Sequence, residues 1–322
     1  MRVGQNPIKS LENIAPPAPV TVVVLTYIPS LDGYYAQSLD VLKLCLGSLL
    51  ANTEGDFDLL VFDNGSCSEV RDYLTAEQQT GNIQLLLLSG RNLGKPAAWN
   101  IALAAAPGEF VAYADSDVHF YPGWLDVSLR VLQELPNAGM VTAMPMLIPE
   151  KYSTATVNWA EKQRGWKVEH GELLPWQDFW KHARSLGDSE EKARGFYKAN
   201  STVRLSHKNN TYFAGAAHFQ FTTRKSILSE VLPIPAERPM GRVRILDETM
   251  NKAGYLRLCT EDWYVQHLGN TVPEKSDLID NSSLELQSAR RKITSGFWQW
   301  KPLRRSLQWL NGWSFDRLHR VK

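Results

Sequence analysis

Cysteine, a surplus of charge and long apolar runs are all scarce in this chain of 322 residues. The three cysteines, Cys45, Cys67 and Cys259, are scattered and lack metal-ligand spacing, a usage that fits reduced thiols better than a disulfide framework. The formal net charge is +1, so the molecule as a whole is not a binder of polyanions. No apolar run approaches the roughly 20 residues that span a bilayer, and the first residues show no secretory signal pattern. Together these absences predict a cytoplasmic protein.

The first half of the chain shows a regular alternation of strand-like and helix-like segments. Continuous β-branched or apolar runs predict strands over residues 20–27, 57–62, 83–88, 109–114 and 139–146. Apolar residues at helical spacing predict helices over residues 38–50, 70–79, 95–106 and 124–135. Because strands and helices alternate at short spacing, we expect an α/β protein with a parallel, helix-covered sheet.

The second half of the chain is less regular. Residues 148–212 are polar and rich in tryptophan, and we expect partial helices there, notably over 176–185, that form an element or lid beside a site. Residues 211–223 are strand-like around Gly215. Further helices are predicted over residues 225–232 and 245–252, and short strands over 255–258 and 265–267.

The strand predicted over residues 109–114 leads into Asp115-Ser116-Asp117. In an extended chain residues i and i+2 point the same way, so both aspartates can face one hard cation. Alternatively, one carboxylate takes the cation and the other takes a ligand hydroxyl. Mg²⁺ and Mn²⁺ prefer such oxygens and complete their shells with waters and substrate phosphates. The simpler interpretation is a polar turn after a strand.

Three further motifs precede this one, each at the end of a predicted strand or the start of a helix. They are VVLTY at residues 23–27, LVFDNGS at residues 60–66 and NLGKPAAWN at residues 92–100. In this order the four motifs resemble the GT-A glycosyltransferases of the family 2 type, well over residues 20–146 and more loosely over 211–270. The resemblance implies a GT-A sandwich with a mostly parallel central sheet. It also implies transfer of a sugar from a nucleotide-sugar donor to an acceptor hydroxyl.

The resemblance implies a set of donor-binding residues. They are Thr26, Tyr27, Asp63, Asn92, Gly94, Lys95, Asp115 and Ser116. Thr26 and Tyr27 would line the base and ribose pocket, and Asp63 would accept a hydrogen bond from the base. An Asx-turn role for Asp63 is the alternative, and one residue can do both jobs. Lys95 opens a helix, where backbone amides favour a phosphate, and adds a positive charge.

The resemblance also implies a divalent cation, Mn²⁺ or Mg²⁺. Asp117 would ligate it, Asp115 would contact the ribose or metal-bound water, and His267 would supply a further ligand. Such a cation stabilises the charge that develops on the leaving diphosphate. A structural role for His267 is the alternative.

An inverting transfer needs a general base for the acceptor hydroxyl. Asp247 and Glu248 are the predicted catalytic residues, because the family places a carboxylate pair before a Gly-Tyr such as Gly254-Tyr255. The gap is shorter here than in the family pattern, so Glu237 and the pair at 261–262 stay as alternatives. A sugar nucleotidyltransferase and a non-catalytic glycan-binding protein are the competing functions.

The predicted organisation has a leader over residues 1–19, a catalytic domain over 20–280 and a C-terminal extension over 281–322. The domain would divide into a nucleotide-binding half, 20–146, and an acceptor half, 147–280.

The extension is predicted to be helical, and residues 289–322 combine many basic and aromatic side chains with one acid, Asp316. This mixture suits peripheral contact with an anionic membrane at the inner face, and packing on the domain is the alternative. Nucleic acid is not an expected partner, since no nucleic-acid-binding module accompanies the patch. A growing surface glycan or a lipid-linked saccharide is the expected acceptor.

Overall fold

Strands and helices alternate through the part of the chain that the computed structural model describes, which is residue 6, residues 14–237 and residues 243–279. The strands are β1 (Val20–Thr26), β2 (Phe57–Asp63), β3 (Leu85–Leu88), β4 (Phe110–Asp115), β5 (Val118–Phe120), β6 (Ala138–Thr142), β7 (Trp166–Gly171), β8 (Thr202–His207), β9 (Asn210–Ala214), β10 (Gln220–Arg224), β11 (Leu256–Thr260) and β12 (Val265–His267). The α-helices are α1 (Ser38–Asn52), α2 (Ser68–Gln79), α3 (Lys95–Ala105), α4 (Trp124–Glu134), α5 (Thr154–Lys162), α6 (Trp176–Ser185), α7 (Glu190–Ala199), α8 (Lys225–Val231) and α9 (Arg244–Lys252).

Ten of these strands form one sheet in the order β3-β2-β1-β4-β10-β6-β11-β9-β8-β7. Strands β3, β2, β1 and β4 are parallel, and β6 and β11 are parallel to each other. Strand β10 pairs antiparallel with both β4 and β6, so these six strands share one direction and β10 opposes them. The predicted α/β fold with a mostly parallel central sheet is therefore confirmed.

Burial along β1 explains why its sequence carries no polar alternation. Val22, Val23 and Val24 are each 0 % exposed although neighbouring strand residues point to opposite faces. Both faces of the sheet are therefore covered, as expected for parallel strands. One face packs against α3, where Trp99 and Ala102 join Val23 in the main hydrophobic cluster.

The middle of the chain, residues 148–212, contains more regular structure than its weak periodicity predicted. The helix expected over 176–185 is confirmed as α6, and α5 and α7 accompany it. Strands β7 and β8 pair antiparallel and extend the sheet beyond β9. The alternation in β7 is weak because most of its side chains are only half-buried.

The strand-like stretch 211–223 resolves into parts of two strands with different partners. Strand β9 pairs with β11, and β10 pairs with β4 and β6. Gly215 separates them with φ +115°, a conformation that side-chain-bearing residues avoid. The intervening residues 216–219 therefore lie in a loop at the sheet edge.

Two predicted features fall wholly or largely outside the described residues: the helical extension over 281–322 and most of the leader over 1–19. Among the described helices, none has the length and apolar character needed to cross a bilayer.

Candidate active site

The ends of three adjacent strands bring the first predicted site residues together. In the parallel register Thr26 of β1 lies beside Asp63 of β2, and Leu25 lies beside Asp115 of β4. All three strands run in the same direction, so Thr26, Asp63 and Asp115 meet at one carboxyl edge of the sheet. Ligands of open α/β sheets bind at such edges. Thr26 is 1 % exposed, and its buried hydroxyl has no hydrogen-bond partner within the described residues.

Asp63 performs the structural role that its sequence context offered. Its carboxylate accepts hydrogen bonds from the backbone N–H of Ser66 at 3.1 and 3.3 Å, which forms a turn after β2. Arg71 Nε lies 3.8 Å from the same carboxylate. Asp63 itself is 0 % exposed. The Asp63 carboxylate is therefore enclosed, with Ser66 and Arg71 as its neighbours.

A pair of asparagines fastens the turn after β2 to the loop before α3. Asn64 Nδ2 donates to Asn92 Oδ1 at 3.0 Å, and Asn64 Oδ1 accepts from the backbone of Leu93 at 2.9 Å. Asn92 Oδ1 also accepts from the backbone N–H of Gly94 at 2.7 Å. Asn92 thus lies in the loop before α3, and its amide oxygen is engaged in holding that loop.

Lys95 lies at the start of α3 and pairs with Asp115. Its Nζ is 2.7 Å from both carboxylate oxygens of Asp115. The centroids of the Trp99 and Tyr113 rings lie 5.3 and 5.8 Å from the ammonium nitrogen. The Tyr113 hydroxyl donates to Asp115, because burial and then the Asp115 charge raise the pKa of Tyr113 well above its usual value. The Asp115 carboxylate is therefore compensated by protein groups.

A second, smaller sheet places Asp117 against His267. Strand β5 pairs antiparallel with β12, so His267 lies opposite Val118, and Leu268 N donates to Asp117 O at 2.8 Å. His267 Nε2 is 3.2 Å from Asp117 Oδ2. The other carboxylate oxygen, Asp117 Oδ1, is buried and has no hydrogen-bond partner among the described residues.

The pKa values of this pair move apart. Burial alone would raise the pKa of Asp117, but His267 and then Lys95 outweigh it and the pKa is lowered. Burial alone would lower the pKa of His267, but the Asp117 carboxylate outweighs it and the pKa is raised. Each partner therefore stabilises the charged form of the other.

Helix α6 supplies the groups behind His267. Ser185 Oγ lies 2.9 Å from His267 Nδ1 and 2.7 Å from the carbonyl oxygen of His182. The His182 ring and the Phe219 ring, which precedes β10, lie edge-on to the His267 ring, with centroid distances of 5.7 and 5.4 Å. Burial, and then the neighbouring His267, lower the pKa of His182 to about 3, so His182 is a neutral imidazole at physiological pH.

The residues at this edge fit a divalent cation that also binds phosphate. Within the described part of the chain, no three His, Cys, Asp or Glu side chains are arranged to hold a metal by themselves. Asp117 and His267 converge, whereas Asp115 is turned to Lys95. The unpartnered Asp117 Oδ1 and the His267 nitrogen are a suitable donor set for Mn²⁺ or Mg²⁺. One or two protein ligands with substrate phosphates completing the shell is a usual arrangement for Mg²⁺.

Asp247 lies in the first turn of α9 and is enclosed. It is 4 % exposed, with His218 Nε2 at 2.5 Å from Oδ2 and Arg257 Nη2 at 2.8 Å from Oδ1. Arg257 is 0 % exposed and also donates to the carbonyls of Tyr152 and Ala216 at 2.5 and 2.6 Å. Asp247 therefore belongs to a buried ion-pair network rather than a solvated helix face.

The other candidate carboxylates are open to solvent. Glu248, the second predicted catalytic residue, is exposed on α9. Glu237 and both acids at 261–262 are exposed as well. Asp247 is thus the buried one among the candidate general bases. The short spacing to Gly254 had left the choice among these carboxylates open.

Several residues of the site were not predicted from the sequence. Tyr113, His182, Ser185 and Arg257 lie outside the four motifs, and each acts through a contact with a predicted residue. Two signals were available. A lone arginine within a buried strand run such as Leu256–Thr260 indicates a buried ion pair. His182 and Ser185 also share one helix face through their i, i+3 spacing.

Comparison with known proteins agrees with the resemblance seen in the motifs. Residues 34–183 match the model of the family described as Glycosyl transferase family 2. An uncharacterized glycosyltransferase of Nostoc sp. is 31 % identical over 100 residues, which are 31 % of this chain and 31 % of that protein. An uncharacterized glycosyltransferase of Rickettsia felis is 28 % identical over 87 residues, 27 % of this chain and 14 % of that protein. The resemblance to family 2 glycosyltransferases is thereby confirmed for the matched segment.

Solved structures with a similar chain path include a mannosyltransferase from Pyrobaculum calidifontis in complex with GDP-Man and Mn²⁺. It aligns with a TM-score of 0.49 at 16 % identity, over 83 % of this chain and 62 % of that chain. The chain thus spans about a third of the Nostoc relative and less than two thirds of this solved structure.

Proposed function

We propose that this protein is a metal-dependent glycosyltransferase that moves a sugar from a nucleotide-sugar donor to an acceptor hydroxyl. The observation that carries the proposal is the Asp117–His267 pair, in which the buried Oδ1 of Asp117 has no hydrogen-bond partner in the part of the chain that the structure describes. The family 2 match over residues 34–183 includes Asp117 and the loop before α3. Burying a carboxylate oxygen without a hydrogen-bond donor costs free energy unless a ligand interacts with that oxygen.

Donor binding is assigned to the ends of β1, β2 and β4 and to the start of α3. Thr26 and Tyr27 would line the base and ribose pocket, and Asp63 would hold the adjacent turn through its hydrogen bond from Ser66 N. Gly94 and Lys95 face the diphosphate, since the first turn of α3 offers backbone N–H groups and a positive charge. In this assignment Asp115 and Ser116 lie on the ribose side.

Asp117 and His267 would hold Mn²⁺ or Mg²⁺. When bound, the cation supplies positive charge beside the diphosphate, which favours its departure. Asp117 and His267 fix the place of that charge, because β5 and β12 pair directly beside both residues. Lys95 adds a second positive group within reach of the same edge once a phosphate competes with Asp115 for it.

The transfer is proposed to invert the sugar, with Asp247 as the base carboxylate. The acceptor hydroxyl loses its proton as its oxygen bonds to the sugar carbon, and the bond to the diphosphate breaks with its electron pair. Asp247 and His218 form a pair 2.5 Å apart, and His218 is its more open member, with a side chain 25 % exposed against 5 % for Asp247. The pair could therefore take the proton through His218.

A surface glycan or a lipid-linked saccharide remains the proposed acceptor, with residues 147–280 as the acceptor half. Peripheral membrane contact through 289–322 also stays a proposal, and that segment lies outside the described residues. The acceptor rests on analogy with the family and on the C-terminal composition, and the membrane contact rests on that composition.

Incubation with a panel of UDP- and GDP-sugars and Mn²⁺ tests the function. We expect release of the nucleoside diphosphate from at least one donor, with a loss of about 100-fold or more in Asp117→Asn. Asp40→Asn is a matched control, because Asp40 is an exposed residue of α1 that forms an ion pair with Lys43 on the same helix. Nucleotide binding without release from any donor would favour a glycan-binding protein. No nucleotide binding with or without Mn²⁺ would refute the proposal.

A further inference from the structure

Helix α6 belongs to the middle segment that none of the four motifs covers, yet its last turn meets the cation end of the site. A Cβ atom added at Gly269 would lie 2.7 Å from the carbonyl oxygen of Ser185, so the chain after β12 passes directly against α6. Arg184 Nη2 also pairs with Asp277 Oδ1 at 3.0 Å. Two contacts besides the Ser185–His267 bond thus hold the end of α6 in place.

The direction of the hydrogen bonds around Ser185 follows from their number. The Ser185 hydroxyl has one hydrogen, and the His182 carbonyl at 2.7 Å accepts it. The contact of 2.9 Å to His267 Nδ1 then requires the ring nitrogen to donate and Ser185 Oγ to accept. His267 therefore carries a proton on Nδ1, and its Nε2 is the nitrogen that faces Asp117 at 3.2 Å.

We propose that Ser185 is a positioning residue that fixes the ring of His267 and presents Nε2 to the divalent cation held with Asp117. The inference rests on the proposed function. Metal-ligating histidines generally donate their other ring N–H to a fixed acceptor, which sets both the tautomer and the ring orientation. Here the acceptor is a helix hydroxyl whose own hydrogen is committed to its helix backbone.

The test is an electron paramagnetic resonance titration of Mn²⁺ with the full chain, in saturating UDP and separately in GDP. Ser185→Ala is expected to weaken Mn²⁺ binding about 10- to 100-fold, the usual effect of losing such a partner. Ser185→Thr keeps a hydroxyl at the same position and is expected to restore affinity to within about threefold of the unaltered protein. Nucleotide affinity without metal should be unchanged, which a general loss of structure would not allow.

Ser189→Ala provides the matched control. Ser189 caps α7 by accepting a hydrogen bond from Lys192 N at 3.3 Å, so the same chemical change removes a helix contact without touching His267. Equal Mn²⁺ affinity in Ser185→Ala and Ser189→Ala would overturn the inference. If Ser185→Ala does not fold, ¹⁵N spectra of the histidines decide instead. A His267 ring protonated on Nε2 alone would then overturn it.

The outcomes separate this inference from the function on which it rests. Loss of Mn²⁺ binding in Asp117→Asn with normal binding in Ser185→Ala refutes the role of Ser185 alone. Absence of Mn²⁺ binding by the unaltered protein, with either nucleotide, refutes both.

Discussion

Replacement of Arg257 by methionine should be among the most damaging single changes near the site. Methionine keeps much of the side-chain volume but removes a cation that is 0 % exposed. Asp247 would keep His218 as its partner and lose the contact of 2.8 Å to Nη2. The carbonyls of Tyr152 and Ala216 would lose donors at 2.5 and 2.6 Å.

The size of the effect follows from these losses. Removal of one partner of a buried ion pair costs about 3–5 kcal/mol, because the other charge remains buried. Each buried carbonyl left without a donor costs about 1–3 kcal/mol, but the losses share one side chain and do not add in full. We therefore expect the free energy of unfolding to fall by about 3–5 kcal/mol.

The assay is urea denaturation followed by circular dichroism, applied to Arg257→Met, Asp247→Asn and the double variant. The double variant should be more stable than the sum of the two single losses predicts, by about 1–3 kcal/mol, since it leaves no unpaired charge. A loss below about 1 kcal/mol in Arg257→Met, or strict additivity, would refute the reasoning. Either result would mean that Arg257 does not hold the proposed base.

Two further predictions concern the loop after β2 and the buried His182 beside His267. Gly65→Ala should lower the free energy of unfolding by about 2–3 kcal/mol, because φ is +89° and the added Cβ would lie 2.6 Å from the backbone carbon of Arg91. Gly55→Ala is the control, since Gly55 has a similar φ of +97° but open space around its Cβ position. The difference between the two variants in thermal melts measures the cost of the clash. The pKa of His182 is about 3 in the folded protein and near 6.5 in the unfolded chain. The neutral ring therefore stabilises the folded state fully above pH 6.5, and this stability is lost as the pH falls toward 3. The loss is at most about 1.4 kcal/mol per pH unit. His182→Gln should flatten this slope in denaturation curves measured from pH 7 to pH 5, and an unchanged slope would contradict the assignment.

The parallel half of the fold was predictable because its signals are local. The run from Val20 to Thr26 is buried throughout. Seven such residues between a proline and a turn fit a central strand better than any other element. Parallel strands with buried faces then place their carboxyl ends together. The order of the motifs at those ends was enough to anticipate that Thr26, Asp63 and Asp115 would be neighbours.

The partners of those residues were not predictable in the same way. Lys95 was expected to face a phosphate, but in the structure its ammonium lies 2.7 Å from Asp115. The network of Asp247, His218 and Arg257 joins α9, the loop before β10 and strand β11, and no local pattern encodes it. Side-chain pairing of this kind depends on how long-range elements pack, whereas strand placement depends mainly on the local run of apolar residues.

The pairing pattern also bears on how donor and cation would enter the proposed site. Lys95 compensates Asp115, and His267 compensates Asp117, so both acids have internal partners. A diphosphate that engaged Lys95 would leave Asp115 with the Tyr113 hydroxyl and no cationic partner. Asp117 and His267 would hold the metal ion, and His267 Nε2 would have to be free of its proton to do so. The diphosphate alone, or the cation alone, would replace one ion pair at this edge with another. Together they bring opposite charges to the same edge of the sheet. Binding of the nucleotide and binding of the cation should therefore reinforce each other.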